Sequence, residues 1–277
     1  MAQGSSIEPL VSCEWLSQRL SDTKVKVLDA TWFMPFHGRD NLKEYCQRRI
    51  PGAKFFDLDK VADTSTDLPH MLPSATAFAA AADALGIDND STVVVYDGLG
   101  IFSAPRAWWT FRVFGHDRVS VLQGGFPAWQ QGGFATDETV VTEHDAGTGA
   151  AAAQQAAKSG QSHVTFRAQL QEGMVRSWQQ VLANVDSHAE VVVDARSDGR
   201  FHGKEPEPRD GLPSGHIPGS SSVPFTEVVQ DGRYKDKKAL EQAFARLDPN
   251  SAVSMYDGSW TEWGEREDTP KACLGTV

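Results

Sequence analysis

The chain has 277 residues and a formal net charge of −11 at pH 7, and its length suits two modest domains better than one. The acidic balance argues against a general nucleic-acid or anionic-membrane surface, and no apolar run approaches the roughly 18 residues that span a bilayer. The N-terminal segment lacks the apolar core of a secretory signal and the arginines of a transit peptide. Three cysteines, Cys13, Cys46 and Cys273, lie far apart in no paired or metal-like spacing, which favours a reducing, intracellular setting.

The first half of the chain alternates predicted strands with predicted helices. The predicted helices are Leu10–Leu20 with Ser12 as its cap, Ser74–Leu85 and Ala104–Phe114. The predicted strands are Lys24–Ala30, a short strand after the turn at Pro51-Gly52, Thr92–Tyr96 and Arg118–Leu122. Helical spacing of apolar residues and capping residues indicate the helices, and short apolar runs bounded by turn residues indicate the strands.

The stretch Thr136–Ser162 separates this half from the next. It is rich in Ala, Gly, Gln and Thr and shows no core-forming pattern, which is typical of an interdomain linker. We therefore predict domains over residues 7–135 and 163–277. The second domain begins with a predicted helix near Met174–Val185 and a predicted buried strand, Val191–Asp194.

A basic loop follows that strand. Gly and Pro within Asp194–Gly219 argue against a regular helix, so we predict an ordered loop at the carboxyl end of a parallel strand, where ligands of open α/β sheets bind. Two or three guanidinium groups there suit a small carboxylate or another anion. The alternative is a solvated loop of internal ion pairs. The basic residues are Arg196, Arg200, Lys204 and Arg209, and the acidic residues are Asp198, Glu205, Glu207 and Asp210.

The second half repeats the first. The matching segments are Val27–Ala30 with Val192–Ala195, Arg49–Gly52 with His216–Gly219, and Val119-Ser120, Gly124 and Trp129 with Val253-Ser254, Gly258 and Trp263. Strands that alternate with helices in both halves predict two similar α/β domains in tandem, each a parallel sheet covered by helices on both faces.

The repeat is incomplete. Ile50 and Val119 are 69 positions apart, whereas Ile217 and Val253 are only 36 apart, so about 33 residues of the first half have no counterpart in the second. A loop-length difference of this size is more than ordinary variation. The second domain therefore lacks about one strand and one helix.

The missing segment corresponds roughly to Gly86–Gly115, which contains one predicted strand, the loop after it and one helix. In the second half the predicted helix Lys238–Leu247 runs almost directly into the predicted strand Ala252–Tyr256. Loss of a central parallel strand leaves the N–H and C=O groups of its neighbours unpaired and opens the core. We therefore expect a disordered or rearranged second domain.

Four long stretches resemble the tandem-rhodanese sulfurtransferases, most closely the 3-mercaptopyruvate type. They are YDGLGIFSAPRAWWTFRVFGH, LQGGFPAW, DARSDGRFHGKEPEPRDGLPSGHIPG and YDGSWTEW, at residues 96–116, 122–129, 194–219 and 256–263. The resemblance implies a silent first domain and a second domain whose catalytic cysteine opens a Gly-rich loop between a central strand and a helix. Backbone N–H groups of that loop hold the sulfur as thiolate or persulfide.

The resemblance also implies roles for four residues. Arg200 and Arg209 match the arginines that bind the substrate carboxylate and keto oxygen. Asp59 and His70 match a proton relay that also needs a serine of the cysteine loop. On the residues alone, His70 would be interpreted as a turn or interface histidine. Asp97 matches the cysteine position in the silent domain, whereas in the second domain the loop falls within the segment missing between Leu247 and Ser251.

The implied reaction passes sulfane sulfur from 3-mercaptopyruvate or thiosulfate, through a cysteine persulfide, to a thiol or cyanide acceptor. It implies no cofactor, metal, nucleic-acid or membrane partner. None of the present cysteines inherits the role: Cys13 lies in a predicted helix without glycine, Cys46 lies in the silent half without the loop, and Cys273 lies in a loose tail.

Two functional hypotheses follow from these features. In the first, the chain is an inactive sulfurtransferase, either a truncated isoform or a faulty gene model. In the second, it is a stable, non-catalytic relative that binds a small anion or a protein partner. The cytoplasm is the predicted compartment, and the mitochondrion is the alternative.

Overall fold

The computed structural model describes residues 7–160, 164–245, 247 and 252–273. The described residues form two units. The first reaches Gln171 and also includes Asp231–Arg233, and the second comprises the other residues from Glu172 onward. Strands and helices alternate in both, and the ladders that repeat between the units are parallel, so the predicted α/β architecture is confirmed.

The first unit is built on a five-stranded parallel sheet of order β1-β5-β4-β2-β3. Its strands are Leu10–Val11 (β1), Val25–Asp29 (β2), Lys54–Phe55 (β3), Thr92–Tyr96 (β4) and Val119–Leu122 (β5). β4 lies in the centre, and all five of its residues are buried. A strand that has neighbours on both edges and covered faces needs apolar residues throughout, which explains the sequence TVVVY.

The first unit contains seven described α-helices, four of which begin at a side-chain cap. They are Cys13–Ser17 (α1), Asn41–Gln47 (α2), Ala75–Ala84 (α3), Ala104–Val113 (α4), Gly125–Gln131 (α5), Glu143–Ala146 (α6) and Thr148–Ser159 (α7). The hydroxyl of Ser74 accepts a hydrogen bond from the Ala77 N–H at 3.2 Å, and Ser12 caps α1 in the same way. The predicted start of the first helix is wrong, because Leu10 and Val11 pair with β5 as a strand.

The predicted linker is folded. Within Thr136–Ser162, residues 143–159 form α6 and α7, and α7 packs against α3. The packed face consists of Gly149, Ala150, Ala153 and Ala156. Small side chains let two helices approach closely: a Cβ at Gly149 would come within 3.1 Å of three Leu85 side-chain atoms. The alanine-rich composition therefore provides a closely packed helix surface and not a flexible linker. The boundary between the two units follows Gln171. Residues 161–163 lie outside the described residues.

The second unit contains parallel ladders of only two strands. Its described strands are Val175–Arg176 (β6), Val193–Asp194 (β7), Ser221–Ser222 (β8), Val229–Gln230 (β9) and Met255–Tyr256 (β11), and the strand Arg233–Tyr234 (β10) lies at the boundary, with Arg233 in the first unit and Tyr234 in the second. β11 pairs with β6, β7 pairs with β8, and β9 and β10 form a two-stranded sheet. Its helices are Trp178–Ser187 (α8), Asp198–Phe201 (α9), Phe225–Val228 (α10), Lys237–Ala243 (α11) and Ser259–Glu265 (α12).

Two predictions for this unit need correction. The strand predicted as buried over Val191–Asp194 is reduced to β7, and Val191 is 67% exposed. The strand predicted over Ala252–Tyr256 is reduced to β11, with Val253 84% exposed. Among the described residues, no strand takes the place beside β7 and β11 that β4 takes in the first unit. Of the predicted junction at residues 247–251, residues 248–251 lie outside the described residues.

The second unit nevertheless has a core. Val181, Ile217, Trp260 and Trp263 form a buried cluster. Both indoles are satisfied, since Nε1 of Trp260 donates to the Pro213 carbonyl at 2.9 Å and Nε1 of Trp263 donates to the Pro270 carbonyl at 2.8 Å. The described part of the second unit is therefore folded around this cluster. None of the described helices is long and apolar enough to cross a bilayer.

Candidate functional site

The basic loop after β7 contains a short helix that the sequence did not predict. Ser197 caps this helix, α9, by accepting a hydrogen bond from the Arg200 N–H at 3.4 Å. Phe201 ends it as a buried ring stacked on His216, with ring centroids 3.9 Å apart. One turn fits among the Gly and Pro residues because a single capped turn needs few intrahelical hydrogen bonds. The turn fixes the position of the Arg200 backbone.

Glu207 is the centre of the charged cluster in this loop. Its side chain has no exposed surface, and it accepts one hydrogen bond at 2.8 Å from Nη1 of Arg196 and another at 3.1 Å from Nε of Arg200. A buried carboxylate is tolerated only when it is paired and hydrogen-bonded. Glu207 is therefore the predicted acidic residue that pairs with Arg196 and Arg200. Asp198, another predicted partner, pairs with His202 at 3.0 Å.

The arginines of the loop differ in how many hydrogen bonds and ion pairs they make within the protein. Arg196 also donates to both oxygens of Asp194 and to the Gly215 carbonyl. Its guanidinium therefore stabilises the conformation of the loop. Arg200 is half-buried and bound on one side to Glu207. Arg209 is exposed, and none of the ion pairs among the described residues involves it. Arg209, and the outer part of Arg200, are therefore the guanidinium groups suited to an external anion.

Asp59 and His70 come together in the first unit. Nδ1 of His70 lies 3.2 Å from Oδ1 of Asp59, and the other carboxylate oxygen accepts a hydrogen bond at 3.1 Å from the Trp32 indole. The indole also packs edge-on against the imidazole, with centroids 4.8 Å apart. His70 has a φ of +55°, a conformation that is uncommon outside glycine and often found at functional sites. The Asp59 carboxylate is therefore in contact with both the imidazole and the indole.

A loop at the carboxyl end of β4 forms an anion cradle around Asp97. One carboxylate oxygen of this buried residue accepts 2.9 Å hydrogen bonds from three backbone N–H groups, and the other accepts one from Leu99. The three donors are Phe102, Ser103 and Ala104. Burial raises the pKa of Asp97, and these donors oppose that rise by stabilising the charged form. The N–H groups that would hold an external anion are thus occupied by the chain's own carboxylate.

The cysteines lie away from any such cradle. Cys13 and Cys46 are buried in the first unit, and burial raises the pKa of each thiol, which makes both poor nucleophiles. Cys273 is not in a loose tail as predicted. Ala272 beside it exchanges two backbone hydrogen bonds with His216, and a Cβ at Gly203 would lie 3.2 Å from the Cβ of Cys273.

Comparison with known proteins agrees with this fold and these motifs. Residues 12–132 match the rhodanese-like domain. The chain is 43% identical over 299 aligned positions to thiosulfate/3-mercaptopyruvate sulfurtransferase 2 of Arabidopsis thaliana. This alignment covers 96% of this chain and 87% of that protein. It is 37% identical over 297 positions to 3-mercaptopyruvate sulfurtransferase of Rattus norvegicus, with 95% and 94% covered. The chain belongs to the rhodanese family of sulfurtransferases.

A solved member of this family supports the same assignment. The crystal structure of SseA from Escherichia coli, described as a 3-mercaptopyruvate sulfotransferase with the rhodanese fold, matches with a TM-score of 0.71 and 33% identity. The match covers 87% of this chain and 84% of that one. In the alignment with the Arabidopsis relative, 96% of 277 residues is about 266, so about 33 of the 299 aligned positions contain no residue of this chain.

The sequence of this rhodanese-family chain indicates the loop but not the buried carboxylate at its centre. Glu207 was predicted only as one of four acidic partners, and Asp194 was not predicted as a partner of Arg196. The available signal was the placement of Glu207 between Pro206 and Pro208, because two prolines favour an extended segment that can carry a side chain inward. Trp32 was likewise missed as the second partner of Asp59.

Proposed function

We propose that this chain retains the donor-binding part of a mercaptopyruvate-type sulfurtransferase site and lacks the cysteine nucleophile. The observation that carries this proposal is the absence, within the described second unit, of a strand between β7 and β11. In the family the cysteine loop follows that central strand. The aligned positions without a residue of this chain, about 33 in number, support the same interpretation.

The binding part is assigned to Arg200 and Arg209. A 2-oxo carboxylate places its carboxylate and keto oxygens within reach of one or two guanidinium groups. The ion pair with Glu207 holds Arg200 in place, and Arg209 is exposed and available for the ligand. Asp59 and His70 are assigned to proton transfer, with the carboxylate orienting the imidazole.

We assign none of the three cysteines to the reacting part of the site. Transfer from 3-mercaptopyruvate requires a thiolate that attacks the substrate sulfur, so that the carbon–sulfur bond breaks, a sulfur–sulfur bond forms and the carbon skeleton takes up a proton. Cys13 and Cys46 are buried with raised thiol pKa values. The chain is therefore expected to bind an anionic donor and to transfer little or no sulfur to a thiol or cyanide.

The direct test measures thiocyanate formed by the purified chain from mercaptopyruvate and cyanide, with Cys273→Ser as a matched variant. We expect no rate above the uncatalysed reaction in either protein. Turnover at ordinary enzymatic rates would overturn the proposal, and its loss in Cys273→Ser would identify Cys273 as the nucleophile. Thiosulfate in place of mercaptopyruvate should likewise give no rate above the uncatalysed reaction.

A stable, non-catalytic anion-binding protein is the second candidate, favoured by the core around Trp260 and Trp263. A cooperative unfolding transition of the second unit, with anion binding lost in Arg200→Ala, supports this candidate. An exon of about 33 codons in the genomic DNA across residues 247–251 supports a truncated isoform or a faulty gene model instead. We infer a cytoplasmic location, with the mitochondrion as the alternative; one related Arabidopsis protein is named as mitochondrial.

A further inference from the structure

The loop at the carboxyl end of β4 is tied to the loop that follows the neighbouring strand β2. The Ser103 hydroxyl accepts a hydrogen bond from the Trp32 N–H at 3.0 Å and donates one to the Ala30 carbonyl at 2.8 Å. Ser103 is buried and lies directly before α4, yet its hydroxyl makes no capping hydrogen bond to that helix. A serine at this position usually caps the helix. Here the hydroxyl instead connects the two loops.

Asp97 provides the cap of α4 in place of the serine. Its carboxylate accepts hydrogen bonds at 2.9 Å from the N–H groups of Ser103 and Ala104, so the Ser103 hydroxyl is free to bind the Trp32 backbone. The carboxylate also accepts a 2.9 Å hydrogen bond from the Phe102 N–H, and the Phe102 ring stacks on the Trp32 indole with centroids 6.3 Å apart. The buried carboxylate therefore holds the two residues of this loop that contact Trp32.

The Trp32 indole in turn holds the carboxylate of Asp59. Its Nε1 donates to Oδ2 of Asp59 at 3.1 Å, while Oδ1 lies 3.2 Å from Nδ1 of His70. The Asp59 side chain is 56% exposed, and an exposed carboxylate that samples several rotamers interacts weakly with a charged neighbour. The indole hydrogen bond restricts those rotamers, so that one carboxylate oxygen stays beside the imidazole.

A residue of α4 also holds the backbone of His70. Nη2 of Arg106 donates to the His70 carbonyl, and the φ of +55° at His70 is a conformation that costs free energy and needs support from its surroundings. A second basic group near Asp59 is Lys60, whose ammonium pairs with Asp57 at 2.9 Å. Because neither basic group is substituted in the test below, a change in the pKa of His70 reports on Asp59.

We propose that Trp32, Ser103 and Asp97 are positioning residues for the imidazole of His70. Asp97 holds the loop after β4 in its anion-bound form, and Ser103 joins this loop to Trp32. The Trp32 indole then keeps the Asp59 carboxylate beside His70. The carboxylate at the silent cysteine position thus supports a proton-transfer group. This inference rests on the proposed role of Asp59 and His70 in proton transfer and adds three residues on which that role depends.

A double-mutant cycle on the pKa of His70 tests this proposal. The full chain with labelled histidine is titrated by NMR, and His70→Gln identifies the signal of this imidazole. Asp59→Asn should lower the pKa of His70 by about half a unit or more, because a nearby carboxylate favours the charged imidazole. In a Trp32→Phe background the same substitution should lower it by less than half as much. Trp108→Phe removes an indole that donates to the Val119 carbonyl at 3.0 Å; it is the matched control and should leave the full effect.

Ser103→Ala and Asp97→Asn test whether the loop acts through Trp32. Each should reduce the effect of Asp59→Asn as Trp32→Phe does, and adding either to Trp32→Phe should reduce it no further. Ser91→Ala removes another buried hydroxyl of the same unit and should leave the effect unchanged. An undiminished effect in Trp32→Phe or in Ser103→Ala would overturn the proposal.

The readout is an imidazole pKa and does not require sulfur transfer. If Asp59→Asn has no effect in the native chain, this inference and the proton-transfer assignment both fail. If the effect persists in Trp32→Phe, only this inference fails. Thiocyanate formation by the chain would overturn the proposed function and leave the result of the cycle unchanged. Because Asp97→Asn destabilises the first unit, Ser103→Ala decides the outcome if that variant is unfolded.

Discussion

Arg200 donates through Nε and Nη2 to one oxygen of Glu207, and the Glu207 side chain has no exposed surface. Arg200 therefore has two roles, as the partner of a buried charge and as a predicted ligand for the donor, whereas the exposed Arg209 has only the second.

Arg209→Ala should weaken binding of pyruvate, an unreactive 2-oxo carboxylate, about tenfold or more, because one charge-assisted hydrogen bond contributes about 1.5–3 kcal/mol. Its free energy of unfolding should not change. Arg200→Ala should weaken binding and also lower the free energy of unfolding by about 2–3 kcal/mol, since Glu207 loses a partner. Calorimetric titration and urea unfolding measure the two effects, with Arg48→Ala in the first unit as the control. Equal binding by the Arg209 variant and the native chain would contradict the assignment.

Equivalent residues of the two halves should respond differently to the same substitution. Leu28→Ala removes a fully buried side chain and should lower the free energy of unfolding by about 2–5 kcal/mol. Val193→Ala, at the equivalent position, should change it by less than about 1 kcal/mol, because Val193 is partly exposed. Chemical unfolding followed by near-ultraviolet circular dichroism compares them. A large loss in the Val193 variant would mean that another segment covers β7.

Asp97→Asn should destabilise the first unit. The amide offers one acceptor oxygen, whereas the carboxylate now accepts hydrogen bonds from four backbone N–H groups through both oxygens. Loss of one or more charge-assisted bonds should lower the free energy of unfolding by about 2–4 kcal/mol. Thermal unfolding measures the change, and Asp90→Asn at the exposed turn before β4 is the control. A variant as stable as the native chain would show that the cradle needs no anion.

The stability of the first unit should depend on pH through Asp29. Burial raises the pKa of this carboxyl group from 3.8 to about 6. The folded state therefore binds more protons than the unfolded state between about pH 4 and pH 6, so the free energy of unfolding falls as pH rises through that window. A difference of about two pKa units corresponds to about 3 kcal/mol. Asp29→Asn should abolish this fall in urea unfolding across the window, whereas Asp67→Asn at the surface should leave it unchanged.

The helix α7 should be essential to the first unit although its composition predicts a linker. Ala153 is buried, so Ala153→Asp places a carboxylate without a partner against α3 and should cost about 3 kcal/mol or more. Ala151→Asp on the exposed side of the same helix controls for helix propensity and charge. Equal unfolding midpoints for the two variants would show that residues 143–159 are a linker after all.

The sequence by itself determined the strands β2 to β5 and the helices α3 and α4 of the first half, the repeat between the halves and the length of the missing segment. These features depend on spacing within a few residues or on matching segments, both of which are visible along the chain. Ser74–Leu85 and Thr92–Tyr96 were predicted within a residue of their observed bounds. The basic loop was also located, because Gly, Pro and Arg follow a strand there.

Only the tertiary structure decided how the charges pair and which surfaces are covered. Glu207 binds Arg196 and Arg200 because the chain turns back within the loop, and α7 becomes part of the core because α3, more than 60 residues earlier, packs against it. The run Val191–Val193 is apolar in the sequence yet partly exposed, since its burial depends on a neighbouring strand. Local pattern determines which strand a segment can form, but burial requires a partner, and among the described residues β7 has β8 as its one neighbouring strand.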